Sequence, residues 1–457
     1  MKYEIHTRFE VLETCKYKKM AINIDIDPAA KDKGNFPPNF IDQVPNNEHW
    51  NRKTRIKWTI LFFIGILLVY SVRTSMSICT AAVAKDLGWN KQISGMALSA
   101  FFCGYLLTNM LGGYLADHHG GEIVIFYSSI VWSLLTIALP LVAHSNFLFY
   151  SGTSAVLICR FFTGVSQGVF FPSFVSLISR HVAVAERSVV SSAAYSGSAI
   201  GTVSTGFIGS IMVDNLGWES VFIVNGSLSF LWVIVFRYFV SSFNIKKNKE
   251  PQLVVKDSVP WIRLLKCPPI WGLLIAYFAS GMCFYNLLSW TPIYFHDAFP
   301  ESKGWIFNVV PWLLNFILTN IAGYFANVLL VSGTSVTVVR KLYASMLFLG
   351  VCISSLLLTT VETFRQALFV MSLNIGFMSF TSSSLMLNSQ DLAPKHAGVL
   401  HGLMNGCGAF AGFIGIYITG FILETTGHWS AVFVLTSVVS LIGFFAFILF
   451  GSGERLV

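Results

Sequence analysis

Twelve largely apolar stretches alternate with short polar joints along this chain. They fall at roughly 57–83, 93–116, 122–143, 149–177, 189–212, 218–241, 269–296, 305–331, 340–359, 364–387, 396–422 and 428–450. Each is about 20 residues or longer, enough for an α-helix to cross the ~30 Å hydrocarbon core of a bilayer. The pattern predicts an all-α membrane protein with 12 transmembrane helices. Polar residues collect in two longer intervals. Residues 1–56 carry Pro28, Pro37, Pro38 and Pro45 among mixed charges, without the apolar core of a signal peptide, and are expected to be a disordered cytosolic tail. Residues 242–268 are polar and basic and are expected to be a cytosolic linker. It separates an N-terminal six-helix bundle (57–241) from a C-terminal one (269–450), and 451–457 is expected to be a short cytosolic tail.

Composition removes the soluble alternatives. Of 457 residues, 54% are hydrophobic and 11% charged, with mean hydropathy +0.66, against roughly 25% charged residues in soluble domains. The net charge of +8 does not point to a nucleic-acid polymer, because the basic residues flank the apolar stretches. Arg52, Lys53, Arg55 and Lys57, then Arg180 and Arg187, the 242–268 interval, Arg340 and Lys341, Lys395 and Arg455 all fall on one side of an even-numbered bundle. Lys85, Lys91, Lys303 and Arg365 fall on the other. That asymmetry puts both termini in the cytosol. The eight cysteines form no C-x-x-C pair; Cys79, Cys103, Cys159, Cys283, Cys352 and Cys407 lie in apolar runs, as small packing residues do.

The two halves echo each other. The second stretch ends Gly112-Gly113-Tyr114-Leu115-Ala116-Asp117 and the eighth ends Ala322-Gly323-Tyr324-Phe325-Ala326-Asn327. The sixth opens Gly217-Trp218-Glu219-Ser220-Val221-Phe222 and the twelfth Gly427-His428-Trp429-Ser430-Ala431-Val432-Phe433. A duplicated six-helix unit keeps the same orientation in both copies. This is the parallel pseudo-repeat of the major facilitator fold, which places substrate near the bilayer midplane between the halves.

Two charges break the apolar pattern. Arg73 lies about ten residues from the far end of the first helix, ~15 Å deep, and Arg160 about eleven residues into the fourth, ~17 Å from the same face. At that depth snorkelling does not reach the headgroups without thinning the bilayer. No Asp or Glu lies well inside any stretch; Asp117, Asp214 and Glu424 sit at ends. A buried guanidinium without an acid needs water, carbonyls or an anionic ligand, and its forked donors suit carboxylate or phosphate. Gln167 follows Arg160 two turns on, nearly on the same face. With neither an acid nor a central histidine to carry protons (His401 is the nearest candidate), the membrane potential is the expected driving force, worth ~2.3 kcal/mol per charge per 100 mV.

The stretches RTSMSIC (73–79), DLGWNK (86–91), KGWIFNVVPW (303–312), VRKL (339–342), QDLAP (390–394) and LETTG (423–427) resemble the anion-transporting branch of the major facilitator superfamily. That branch includes vesicular glutamate transporters, sialin, phosphate transporters and vesicular nucleotide transporters, and the likeness spans roughly 57–451. It implies carriage of ATP, ADP and GTP into secretory vesicles or lysosomes, driven by a lumen-positive potential, with chloride as an activator and no cofactor or metal. Arg73 and Arg160 match the family's essential arginines. Gln167 stands where glutamate transporters and sialin carry an acid, and Leu98 where glutamate transporters carry a histidine; both differences favour the nucleotide group. Asp117-His118-His119-Gly120 departs from the family's Asp-Arg-x-Gly loop, which leaves Gly113, Asp117 and His118 as candidate gating residues. His118 is a polar cap on one reading and a pH-sensitive element on the other.

An adenine ring wants an aromatic platform and a few polar contacts. Candidates are Phe101, Tyr195, Tyr285, Asn286, Trp290 and Ser383. Pro172, Pro292 and Pro311 are expected to kink their helices, and Asn225-Gly226-Ser227 falls inside a helix, so its glycosylation pattern is discounted. The expected protein is a monomeric transporter. Glutamate, sialate or phosphate are alternative cargoes and an anion channel is an alternative class, although no continuous polar lining or charged ring is evident. No catalytic or metal cluster lies in the stretches, which argues against an enzyme.

Overall fold

The computed structural model describes residues 50–144, 152–182, 190–191, 193–242, 264–393 and 397–456. Most of the tail expected over 1–56, namely residues 1–49, and most of the linker expected over 242–268 lie outside these residues. Twelve long helices make up the described chain. They are α1 (Arg52–Leu87), α2 (Lys91–His119), α3 (Gly121–Ala143), α4 (Gly152–Ile178), α5 (Ala193–Leu216) and α6 (Trp218–Ser242) in the first half. The second half has α7 (Pro268–Ala298), α8 (Gly304–Val331), α9 (Val336–Leu358), α10 (Phe364–Ser389), α11 (Ala397–Thr426) and α12 (Trp429–Phe450). Among the described residues no strand occurs. Eleven of these helices are long and apolar enough to span a membrane, and α2, with 29 residues, completes the set.

Every expected helix is present, but its ends are set by capping. α1 starts at Arg52 rather than 57, because the Asn51 side chain accepts from Thr54 N at 2.9 Å; it runs on to Leu87, where Gly88 turns out at φ 67. Arg52, Lys53, Arg55 and Lys57 therefore belong to a helix rather than to the tail. Of the expected 451–457 tail, residues 451–456 are docked: Leu456 N donates to Leu392 O at 2.8 Å and Asn388 Nδ2 to Ser452 O at 2.7 Å. The proline kinks are also redistributed. α4 breaks at Val169, between Gly168 and Phe170, three residues before Pro172, whereas α7 and α8 run unbroken through Pro292 and Pro311. α5 and α10 carry π-helical turns at Thr205–Gly209 and Ser382–Met386.

The repeat is written into the far ends of the two halves, the ends opposite α1's start and α12's finish. Gly217 and Gly427 both turn at positive φ, 85 and 68. The tryptophan that follows each turn donates its indole N–H to an aspartate: Trp218 to Asp86 at 3.1 Å and Trp429 to Asp297 at 3.2 Å. From 218 to 429 and from 86 to 297 the shift is the same 211 positions. Asn225 donates to Ser75 Oγ at 2.8 Å inside α6, as expected of a packed rather than a glycosylated residue.

The halves meet through α1 with α7, α2 with α11 and α5 with α8, and they meet toward the far face. There Gly95 and Gly420 approach so closely that a Cβ on the first would lie 3.1 Å from the Cα of the second. Lys91 N donates to Glu424 Oε2 at 2.9 Å, Lys91 Nζ pairs with Asp297, and Asn308 Nδ2 donates to Ser210 Oγ at 2.9 Å. One apolar cluster, including Leu98, Phe101, Phe102, Trp290, Ile416 and Leu423, spans both halves here. The two other large clusters stay within single halves. A Cβ at Gly113 of α2, Gly323 of α8, or Gly402 and Gly406 of α11 would meet nothing within 4 Å. The contacts just named join the halves at the far face, and these four glycines lie toward the opposite face, where α1 starts and α12 finishes.

Candidate functional site

The site is built where α1, α2 and α4 converge beside the second half. α2 and α4 approach backbone to backbone: a Cβ on Gly104 would run into the carbonyl of Phe161, and one on Gly164 into the carbonyl of Phe101. Thr108 Oγ1 adds a hydrogen bond to Val165 O at 2.7 Å. This close contact sets the Phe101 ring against two cations. The guanidinium carbons of Arg73 and of Arg160 each lie 5.0 Å from its centroid. The two groups are therefore no farther apart than twice that distance, and they are 5% and 2% exposed. Arg73 also lies 4.9 Å from the rings of Tyr70 and Tyr105.

Among the described residues no carboxylate comes within 4.0 Å of either arginine. Nε and Nη2 of Arg73 and Nε of Arg160 have no hydrogen-bond partner. Ring contacts contribute about 0.5–2 kcal/mol each. A buried guanidinium with N–H donors unmet loses more than that. The arrangement is a preorganised pair of cations with donors to spare, held by ring faces that cannot neutralise it.

The second half supplies the facing wall. Tyr285 of α7 packs on Phe102 with ring centroids 4.5 Å apart. Tyr105, whose ring lies 4.9 Å from the Arg73 guanidinium, also lies near Asn405 of α11. Tyr195 of α5 stacks on Phe171 at 5.6 Å, and Phe171 sits 6.3 Å from Tyr70, so an aromatic run leads from Tyr195 to Arg73. Gln167 is fully buried between α4 and α1. Its Nε2 reaches Val69 O at 3.5 Å, one turn before Arg73, and its Oε1 is unpartnered.

Other sequence candidates lie apart from this cluster. Asn286 is buried beside Trp290, Thr291, Met371 and Trp429 within the second half, with its Oδ1 unpartnered. The Trp290 indole is spent on Ile416 O at 3.3 Å, bracing α7 on α11. Ser383 lies in the π turn of α10, and its carbonyl accepts from Arg340 Nη1 at 2.7 Å while Arg340 Nε holds Asp391 Oδ2 at 2.7 Å. Arg340, counted from the sequence among the flanking basic residues, is thus a buried brace between α9 and α10. Gly113 lies toward the end of α2, where a Cβ would meet nothing within 4 Å; the Asp117 and His118 side chains lie outside the described residues.

Tyr70, Tyr105 and Asn405 were not singled out from the sequence. Tyr70 precedes Arg73 by three residues and Tyr105 follows Phe101 by four, spacings that share a helix face, so two of the three had a signal. Asn405 carried none, because its nearness to Tyr105 depends on how α11 meets α2.

Comparison with known proteins agrees with this architecture. Residues 61–416 match the Major Facilitator Superfamily. The voltage-gated purine nucleotide uniporter SLC17A9 of Rattus norvegicus is 39% identical over 419 residues, covering 90% of this chain and 92% of its own. The chloroplastic ascorbate transporter of Arabidopsis thaliana is 33% identical over 432 residues, covering 90% and 78%. Among solved structures, a D-xylose–proton symporter aligns with TM-score 0.70 at 12% identity, over 88% of this chain and 99% of that one. A bacterial homologue of the human lysosomal transporter Spinster, inward-facing and occupied, aligns with TM-score 0.68 at 13% identity, over 88% and 97%. The duplicated helices, the acid-free arginine pair and these relatives together show that the chain belongs to the Major Facilitator Superfamily and, within it, to the anion transporters.

Proposed function

We propose that the protein is a uniporter for purine nucleotides, moving ATP, ADP and GTP into a vesicular compartment by alternating access under the membrane potential. The observation that carries the reading is the Arg73–Phe101–Arg160 arrangement, two buried guanidinium groups without carboxylate partners. A phosphate chain presents several oxygens to several N–H donors at once, and the rings of Tyr70, Tyr105, Tyr195 and Tyr285 offer faces for the base. The likeness to purine nucleotide uniporters supports the choice of cargo.

In this reading the face carrying the chain ends is cytosolic and the far face, where the halves are joined, is lumenal. Nucleotide enters from the cytosolic side, satisfies the arginines and offsets their mutual repulsion. The halves then rock, breaking the far-face contacts of Lys91 and Asn308. A lumen-positive potential pulls each net charge inward with ~2.3 kcal/mol per 100 mV. Chloride acts as an activator, and the carrier works as a monomer.

The test is uptake by purified protein in liposomes with a potassium-diffusion potential. ATP should accumulate when the destination side is positive, and uptake should fall at least tenfold when the potential is collapsed. Uptake indifferent to the potential contradicts the mechanism. Competition by glutamate, sialate, phosphate or ascorbate stronger than by GTP and ADP reassigns the cargo.

A further inference from the structure

We propose that Asp86, His144 and Glu219 form a binding site for a divalent transition-metal ion of the zinc type at the far face of the N-terminal half. The three residues come from separate elements: the last turn of α1, the residue that ends α3, and the first turn of α6. His144 Nε2 lies 3.6 Å from Asp86 Oδ2 and 3.5 Å from Glu219 Oε1. One donor atom from each residue falls within 4.8 Å of the other two. Ligands at 2.0–2.2 Å around a tetrahedral ion sit roughly 3.3–3.6 Å from one another. Two of the three separations already have that value, and a small swing of the carboxylates closes the third.

Charge points the same way. Two carboxylates face each other across His144, and no lysine or arginine among the described residues comes within 4.0 Å of either. The equivalent aspartate of the second half, Asp297, is met by Lys91. The repeat thus neutralises one aspartate with a lysine from the opposite half and leaves the other beside a second acid and an imidazole. A mixed imidazole and carboxylate set with a fourth position open suits zinc better than calcium, which takes six to eight oxygens.

The supporting contacts resemble those that orient metal ligands. The Trp218 indole holds Asp86 Oδ2, and its ring lies 5.8 Å from that of His144. Gly217, at φ 85, lets the Glu219 carboxylate fold back over the turn, where a Cβ would come 2.7 Å from its Oε2. The side chains are roughly half exposed, so the ion arrives directly from the far-side compartment. Because all three ligands belong to one half, the ion clamps the ends of α1, α3 and α6 without tying the halves together. The assignment does not depend on the cargo proposed above.

The experiment titrates full-length purified protein, stripped with EDTA, with Zn2+ at pH 7.5 by calorimetry, and follows Co2+ by its visible absorption. One equivalent should bind, raise Tm and give the intense bands of a tetrahedral cobalt site. Asp86→Asn, His144→Ala and Glu219→Gln should each weaken that event at least tenfold while keeping the metal-free Tm of the parent. Unchanged binding in all three variants overturns the site, because the ion then sits elsewhere. Absence of zinc binding, tighter binding of Ca2+ than Zn2+, or stabilisation obtained with protons alone in metal-free buffer also overturns it. The last result makes His144 an acid-dependent cap instead.

Discussion

At the residue scale, Arg73 and Arg160 differ in how they are held, and their variants should differ accordingly. Arg73 is surrounded by three rings, Tyr70, Phe101 and Tyr105, whereas Arg160 shares Phe101 alone. Alanine at either position removes the anion's partner and should abolish uptake while the protein still elutes as a folded species in detergent. Normal transport by either variant would remove the site. Lysine separates charge from shape: it keeps the cation and loses the planar fork. Arg160→Lys should therefore retain substrate selectivity for anions but lower kcat/KM for ATP by more than tenfold, about 1.4 kcal/mol or more of transition-state binding. Phe101→Leu keeps the apolar volume and deletes the ring face shared by both guanidinium groups. KM should rise several-fold with a smaller change in kcat, measured as initial uptake rates against ATP concentration. An unchanged KM would mean that the ring only fills space.

At the element scale, the site depends on how closely α2 meets α4. Gly104 and Gly164 make that approach possible, each lying against the other helix's backbone. Small residues have this role wherever membrane helices pack backbone to backbone. Gly164→Val should force the helices apart, costing on the order of 1–3 kcal/mol and moving Phe101 off Arg160. The measurable outcome is a lowered Tm in detergent together with loss of uptake; a variant with wild-type Tm and uptake would show that the contact is looser than described. The helices themselves were legible in the apolar runs, because a spanning segment has to satisfy its own backbone and cover its surface with apolar side chains. Their ends were less so: α1 is nine residues longer than the apolar run, through a side-chain cap at Asn51 and a left-handed turn at Gly88. The π turn in α10 had no legible sign, since Ser382–Met386 contains neither proline nor glycine. That turn places the Ser383 carbonyl on Arg340, which is why a residue read as a base contact stands in a brace instead. The arginines were legible because charge in an apolar run is costly wherever it points. Their shared ring was not, because it required the packing of α2 on both neighbours.

At the scale of the whole molecule, the two halves are repeats that close on one side, and the closure is asymmetric in its chemistry. Asp297 receives both the Trp429 indole and the Lys91 ammonium of the opposite half, while Lys91 N also holds Glu424. These partners are part-exposed, so their attraction is screened and modest, but it exists only when the far face is shut. A contact present in one state and absent in the other shifts the equilibrium by its own free energy. Removing about 1 kcal/mol changes the ratio of the two states roughly fivefold. Asp297→Asn removes the charge pairing while leaving an oxygen for Trp429, so fold and apolar seal should survive. Cysteine placed at Ser94, buried near the seal, reports the state when the cysteines already present are first replaced. Its labelling by a membrane-impermeant maleimide added to the far side should quicken by several-fold in the Asp297→Asn background, and added ATP should shift the rate further in proteins with both arginines intact. Labelling that ignores Asp297 would place the far-side seal in the apolar contacts of Leu98, Trp290 and Ile416 rather than in the ion pair. Labelling that responds to Asp297 but not to ATP would separate the gate from the arginine pair, and with it the coupling that alternating access requires.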